Sequence, residues 1–460
     1  MTVDKLPALL RILQVFRPGL TEPGFANLMV MVAGWVLTPG THAVTEALVV
    51  TQISGVIHHE RFHRFFSRGS WDPDELGRLL FIRLWSKLRG GLHVVIDDTL
   101  AVKKGPQVFG LGCHLDPVRS TKKHKAFAFG HVWVMLAVLV EVPFSDRTWA
   151  LPILFRLYRN KKECKKHGAP YLKKTELARQ MLAVFAGWTG KHRITVAADS
   201  AYCNSTVLDG QPTRLIVLGA LRLDAVLTRP LKPCARCESA PKGTRCPQHR
   251  RPGRPSRRGV ALPNPEQIAT RSSYAWHTCR SWLYGKEQVV TYKTVVAQWY
   301  RGAGSQPLRV VVVRCSSGNI PYRVFFSTDS SMTAEQVLLG YSQRWGIEVC
   351  FRELKQRLGF ADSSARKQKA VERMAPFVGL TYTVLVLWFL EGASDLGQQT
   401  MPIRPWYGHK EGLCFNDVLR SAQFVLGKHQ VLDPAREYSN LRRFPPKPSS
   451  APPGPKRRAA

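Results

Sequence analysis

The sequence predicts an α/β fold, with a helical region ahead of it and a disordered basic tail behind it. Three observations carry this. Two short apolar runs, LHVVIDDT at 92–99 and ITVAADS at 194–200, end in carboxylates and read as buried strands. Apolar residues at helical spacing dominate residues 1–88 and the stretch after Thr333. The last stretch, 426–460, is rich in Pro and Arg and ends in PGPKRRAA, a composition that buries too little to fold.

Taken in order, Leu9–Phe16, Phe25–Leu37 and Leu76–Leu88 have the helical period, punctuated by Gly, Pro, Thr and Asn. Between them lie His58, His59, Arg61, His63 and Arg64. Residues 1–88 therefore fit either a helical DNA-binding module or a helical cap on the next domain. From Gly91 strands alternate with basic loops, among them Lys103, Lys104, Arg119, Lys122, Lys123 and Lys125. His131–Val142 reads as a buried strand, Thr175–Gly187 as a helix, and Leu215–Leu218 as a third short strand. Residues 231–265 break the pattern, being rich in Pro, Arg, Lys and Cys. Strand signals return at Glu287–Tyr300, Leu308–Cys315 and Tyr322–Ser327. Helices follow from Thr333 to about Leu358 and from Lys367 to Glu391.

The 460 residues carry a formal charge of +35, with a hydrophobic fraction of 44% that is ample for a folded core. So large an excess points to a polyanionic partner, nucleic acid first. No apolar run approaches the ~20 residues that span a bilayer, and no secretory signal is evident. An anionic membrane surface is the weaker alternative and no membrane partner is expected; most of the ten cysteines are expected to be reduced thiols. One cluster, Cys234, Cys237, Cys246 and His249, has the C-x2-C-x8-C-x2-H spacing. It fits either a structural Zn²⁺ site or a basic loop with incidental cysteines. Nearby, RRPGRPSRRG at 250–259 is similar to a minor-groove AT-hook centred on Arg254, and reads equally as a solvated linker.

The segment YSQRWGIEVCFRELK, 341–355, spaces Tyr341, Arg344, Glu348 and Lys355 by three, four and seven. On one helix they share a face. A carboxylate between cations suits metal-dependent phosphate chemistry, and it also suits ordinary i,i+4 ion pairs. Three acidic positions then stand out: the Asp97–Asp98 pair, Asp199 and Glu348. If the two strands are neighbours, their ends converge, and a helix adds the glutamate. Such hard oxygen donors suit Mg²⁺ or Mn²⁺.

In this order, these motifs resemble the DDE transposases of the cut-and-paste insertion-sequence type. Tyr341, Arg344, Glu348 and Lys355 fit the Y-x2-R-x3-E-x6-K signature. IDDT at 96–99, ADSAY at 198–202 and STD at 327–329 are also similar to that family, over residues 25–390. The resemblance implies a ribonuclease H-like catalytic core with a β-rich insertion. The plan is a helical N-terminal domain at 1–88, core at 89–230, a basic Cys-rich and β-rich insertion at 231–330, core again at 331–425, and the tail at 426–460. It implies an enzyme that binds transposon ends, cleaves them and joins them to target DNA, in the bacterial cytoplasm, as a homodimer when two ends are synapsed. Asp97, Asp199 and Glu348 would hold Mg²⁺ or Mn²⁺, with Asp98 as the alternative to Asp97. Tyr341, Arg344 and Lys355 would contact DNA phosphates, and Trp299 or Trp282 would stack an extruded base. Two other readings stay open: a transposase-derived DNA-binding protein without catalysis, and a ribonuclease H-like nuclease without strand transfer.

Overall fold

The computed structural model describes residues 5–88, 90–105, 107–121, 123–231, 258–315, 321–393 and 412–428. The Cys234, Cys237, Cys246 and His249 cluster, Arg254, and the tail beyond Lys428 lie outside these described residues.

Five helices come first: α1 (Lys5–Leu13), α2 (Glu22–Leu37), α3 (Val44–Val50), α4 (Glu60–Ser67) and α5 (Pro73–Trp85). Thr21 starts α2 by accepting a hydrogen bond from the Gly24 N–H, with a proline in the first turn. The helix is buried on nearly every side. Gly34 is required where α2 meets α3, because a Cβ there would lie 2.4 Å from the Ala47 carbonyl oxygen.

A ten-stranded sheet forms the centre. Strand β1 (Leu92–Val102) pairs antiparallel with β3 (Phe127–Val140) and parallel with β5 (Ile194–Ala198), which pairs parallel with β6 (Leu215–Leu221). The outer edge of β3 carries β2 (Gly112–Leu115) along its first residues and β4 (Trp149–Tyr158) along the rest. On the far side, β7 (His277–Leu283), β8 (Lys286–Gln298), β9 (Pro307–Arg314) and β10 (Tyr322–Ser327) form an antiparallel meander. Strand β10 hydrogen-bonds to β6, so the meander extends the central sheet. The sequence signals at 287–327 anticipate β8, β9 and β10 but not β7. That strand is an edge whose residues are mostly exposed, so it lacks the apolar content that marks a strand.

Between strands lie α6 (Lys161–Lys166), α7 (Lys174–Trp188), α8 (Ser205–Leu208), α9 (Pro265–Thr270) and α10 (Tyr300–Ala303). The single helix expected from Thr333 to Leu358 is two: α11 (Ala334–Ser342) and α12 (Trp345–Arg357). The Arg344, Gly346 and Ile347 N–H groups donate to Tyr341, Gln343 and Arg344 carbonyls, a tight i→i+3 turn. The two helices rest on different ground, α11 against β6, β7 and β10, α12 against β1 and β4. The chain must turn to serve both. Gly346 lets α12 close on β4, since a Cβ there would sit 2.9 Å from the Thr148 carbonyl oxygen.

Helix α13 (Gln368–Trp388) is central, with α14 (Phe415–Lys428) beside it. By length and mean hydropathy the stretch Gln368–Gly392 could cross a membrane, but 89% of its most apolar window is buried inside the fold. It is a core helix. The N-terminal region docks on it and on the end of α12: the Arg373 guanidinium of α13 donates to the Phe66 and Trp71 carbonyls, and Trp35 Nε1 donates at 2.9 Å to the carbonyl of Leu358, just after α12.

Candidate active site

The site begins with a register. Strands β1 and β5 run parallel, and their last paired residues are Ile96 and Ala198. The next residue on each strand is an aspartate. Asp97 and Asp199 therefore occupy neighbouring positions where β5 stops, the end at which parallel strands commonly present ligand-binding groups. The sequence suggests that β1 also stops at its carboxylates. It does not, because β3 pairs with it from Val94 to Val102 and carries it five residues past Asp97. Asp199 leaves β5 and opens a short 3₁₀ turn over Ser200–Tyr202.

Because adjacent strand residues face opposite sides, Asp97 and Asp98 have different surroundings. Asp97 Oδ2 accepts from Arg344 Nη1 at 2.8 Å, and Arg344 Nη2 donates to Glu348 Oε1 at 2.5 Å. One guanidinium thus bridges the first strand and the glutamate helix. Arg344 is 16% exposed, Asp97 17% and Glu348 35%, so the link is shielded most at Asp97. Burial pushes the Asp97 carboxyl up to about 7, and the negative charges of Asp98 and Asp199 add to it. Arg344 and the Asp98 backbone N–H pull the other way without cancelling that effect. Burial lowers the Arg344 pKa, but Asp97, Tyr341, Glu348 and Asp199 outweigh it and the net shift is upward.

Asp98 faces a second network. Its Oδ1 accepts from the Tyr202 hydroxyl at 2.6 Å and its Oδ2 from Lys174 Nζ at 2.6 Å. Sequence reasoning missed both partners. Tyr202 was within reach as the last residue of ADSAY; nothing in the sequence connects Lys174, on α7, to Asp98.

The Tyr341–Lys355 stripe is not one helical face, because the turn at Gln343–Arg344 divides it. Tyr341 closes α11, with its ring 4.7 Å from that of Phe325 and its hydroxyl pushed up to about 12 by burial. It therefore keeps its proton at physiological pH and can donate a hydrogen bond. Lys355 lies two turns beyond Glu348, about 10 Å along the axis. Burial lowers its pKa, and the opposing charge it meets is Asp116. Arg344 and Glu348 are thus joined directly, while Lys355 stands apart from them.

Beside Arg344 opens a cleft of about 620 Å³ lined by Tyr341, Tyr284, Arg147, Arg323 and Trp345. A second, of about 630 Å³, shares Arg147, Tyr284 and Trp345 with it and includes Trp282. Trp282 is 51% exposed on the β7–β8 hairpin, whose turn uses left-handed φ at Tyr284 and Gly285. Trp299 is different: it packs against Phe326 and Gly302, so its ring faces the core. Among the described residues no three His, Cys, Asp or Glu side chains are gathered closely enough to hold a metal ion as they stand.

The chain is similar to two families. The DDE superfamily endonuclease family matches residues 16–288, and the archaeal putative transposase ISC1217 family matches 300–391. No curated protein matches it. Among solved structures, a piggyBac transposase synaptic complex with hairpin DNA aligns at 11% identity and a TM-score of 0.38, covering 94% of this chain and 80% of that one. The first family spans more than half of the chain, including Asp97, Asp98 and Asp199, and the second spans Arg344 and Glu348. With two transposase-related families placed end to end along it, the chain belongs to the DDE superfamily of endonucleases.

Proposed function

We propose that this protein is a DNA transposase that cleaves transposon ends and joins them to target DNA, using Asp97, Asp199 and Glu348 as ligands for Mg²⁺ or Mn²⁺. The observation that carries this is the shared register of Asp97 and Asp199 together with the Arg344 bridge from Asp97 to Glu348. The order β4-β3-β1-β5-β6, three antiparallel strands followed by two parallel ones, supports a ribonuclease H-like core. The four-stranded meander would be its β-rich insertion.

The donor set fits a hard divalent ion. All three groups are carboxylates, and burial pushes the Asp97 carboxyl up to about 7 despite Arg344, a penalty that a divalent cation would offset. When bound, Mg²⁺ or Mn²⁺ supplies activation of an attacking water or 3′-hydroxyl and stabilises the leaving oxygen of the phosphodiester. The protein's own residues do the rest. Arg344 exchanges its carboxylate partners for a DNA phosphate, which it can grip through two N–H groups. Tyr341 donates its hydroxyl to a phosphate oxygen, and Lys355 adds a point charge further along the helix. Arg147 and Arg323 extend the cationic wall of the cleft. Trp282, half exposed, offers a face for an unstacked base, a role for which Trp299 is poorly placed. The +35 charge draws DNA to this surface, and two copies would hold two ends.

Glu348→Gln tests the reading. It should retain binding to DNA carrying the inverted repeats that flank the gene and lose Mg²⁺-dependent cleavage. Cleavage that persists in this variant sinks the assignment.

A further inference from the structure

The doubled aspartate has a division of labour. We infer that Asp98 is a positioning residue that, through Tyr202, ties the Asp199 turn to β1 and sets the spacing of Asp97 and Asp199. This rests on the proposed roles of those two residues as metal ligands. Strand β5 ends at Ala198, so no sheet hydrogen bond holds Asp199 beside β1. The chain instead enters a 3₁₀ turn whose last residue, Tyr202, is 1% exposed. From there the Tyr202 hydroxyl reaches back to Asp98 Oδ1 at 2.6 Å. One turn of chain is thus closed between two anchors, the β5 ladder before Asp199 and the Tyr202–Asp98 bond after it. Lys174 Nζ donates to Asp98 Oδ2 at 2.6 Å and keeps the carboxylate aimed. Asp98 itself points away from the Arg344–Glu348 side, because it follows Asp97 on a strand.

The geometry assigns different consequences to similar substitutions. Tyr202→Phe keeps the ring and removes only the hydroxyl. Asp98→Ala removes the acceptor. Asp98→Asn keeps an acceptor for Tyr202, while Lys174, 38% exposed, can turn to solvent. Mn²⁺ binding to the full chain without DNA, measured by calorimetry and by electron paramagnetic resonance, separates the cases. Tyr202→Phe and Asp98→Ala should weaken Mn²⁺ binding about ten- to a hundredfold, the usual effect of losing a group that orients a ligand. Asp98→Asn should rescue it to within about threefold, whereas Asp97→Asn abolishes it. Wild-type affinity in Tyr202→Phe overturns the inference and leaves the metal assignment standing. Loss in Asp98→Asn as complete as in Asp97→Asn overturns it too, by making Asp98 a ligand. Undiminished binding in Asp97→Asn fails the metal assignment itself.

Discussion

Replacing Arg344 by Met removes the cation that links Asp97 to Glu348, and the resulting instability should depend on pH. The Glu348 half of the link is partly solvated and contributes about 0.5 kcal/mol. The hydrogen bond to Asp97 contributes a further ~0.5–1 kcal/mol at any pH. The charge on Asp97 decides the rest. Its carboxyl titrates at about 7 in the folded protein, against 3.8 for an ordinary aspartate. A raised folded pKa means that the folded state holds the proton more tightly than the unfolded state. The burden on folding therefore grows as pH rises from 3.8 to about 7 and is full above it. At pH 5.5 Asp97 is mostly neutral with or without Arg344, so the variant loses only about 1 kcal/mol. At pH 8 the wild type is ionised there, and the variant must instead protonate Asp97. One pH unit above the pKa, that costs about 1.4 kcal/mol more, for a total near 2.5 kcal/mol. Urea denaturation followed by tryptophan fluorescence, in chelator at both pH values, measures the difference. An equal loss at pH 5.5 and pH 8 refutes the bridge as described.

Gly34→Ala places a Cβ 2.4 Å from the Ala47 carbonyl oxygen and should destabilise the helical region by about 1–3 kcal/mol; an unchanged urea midpoint argues against that contact. Lys293 is 2% exposed and its Nζ donates to the Ile268, Ala269 and Arg271 carbonyls at 3.0, 3.0 and 2.7 Å. Lys293→Met should lose about 2–3 kcal/mol in the same assay, and a loss below about 0.5 kcal/mol contradicts these three bonds. Lys355→Ala should weaken binding to the terminal repeats and flatten the slope of log K against log salt by about 1; an unaltered slope removes Lys355 from the phosphate contacts.

Much of this protein is written locally in its chain. The apolar runs at 92–96, 131–142 and 194–198 became buried strands, because strands covered on both faces need uninterrupted aliphatics. Asp97, Asp98 and Asp199 stood out because charged groups ending such runs are uncommon in a core, and Arg344 and Glu348 because their spacing with Tyr341 and Lys355 is helical. Other features depend on partners distant in sequence. The extension of β1 through its aspartates is set by β3, and β7 exists by pairing with β8. The turn at Gln343–Arg344 arises because α11 and α12 rest on different strands, which the common periodicity of the two helices conceals. The separation of Asp97 from Asp98 is likewise tertiary. Local sequence offers two adjacent carboxylates of the same chemistry. Only the packed fold brings Arg344, 247 residues away, to one and Tyr202, 104 residues away, to the other, because a strand presents its neighbours to opposite faces.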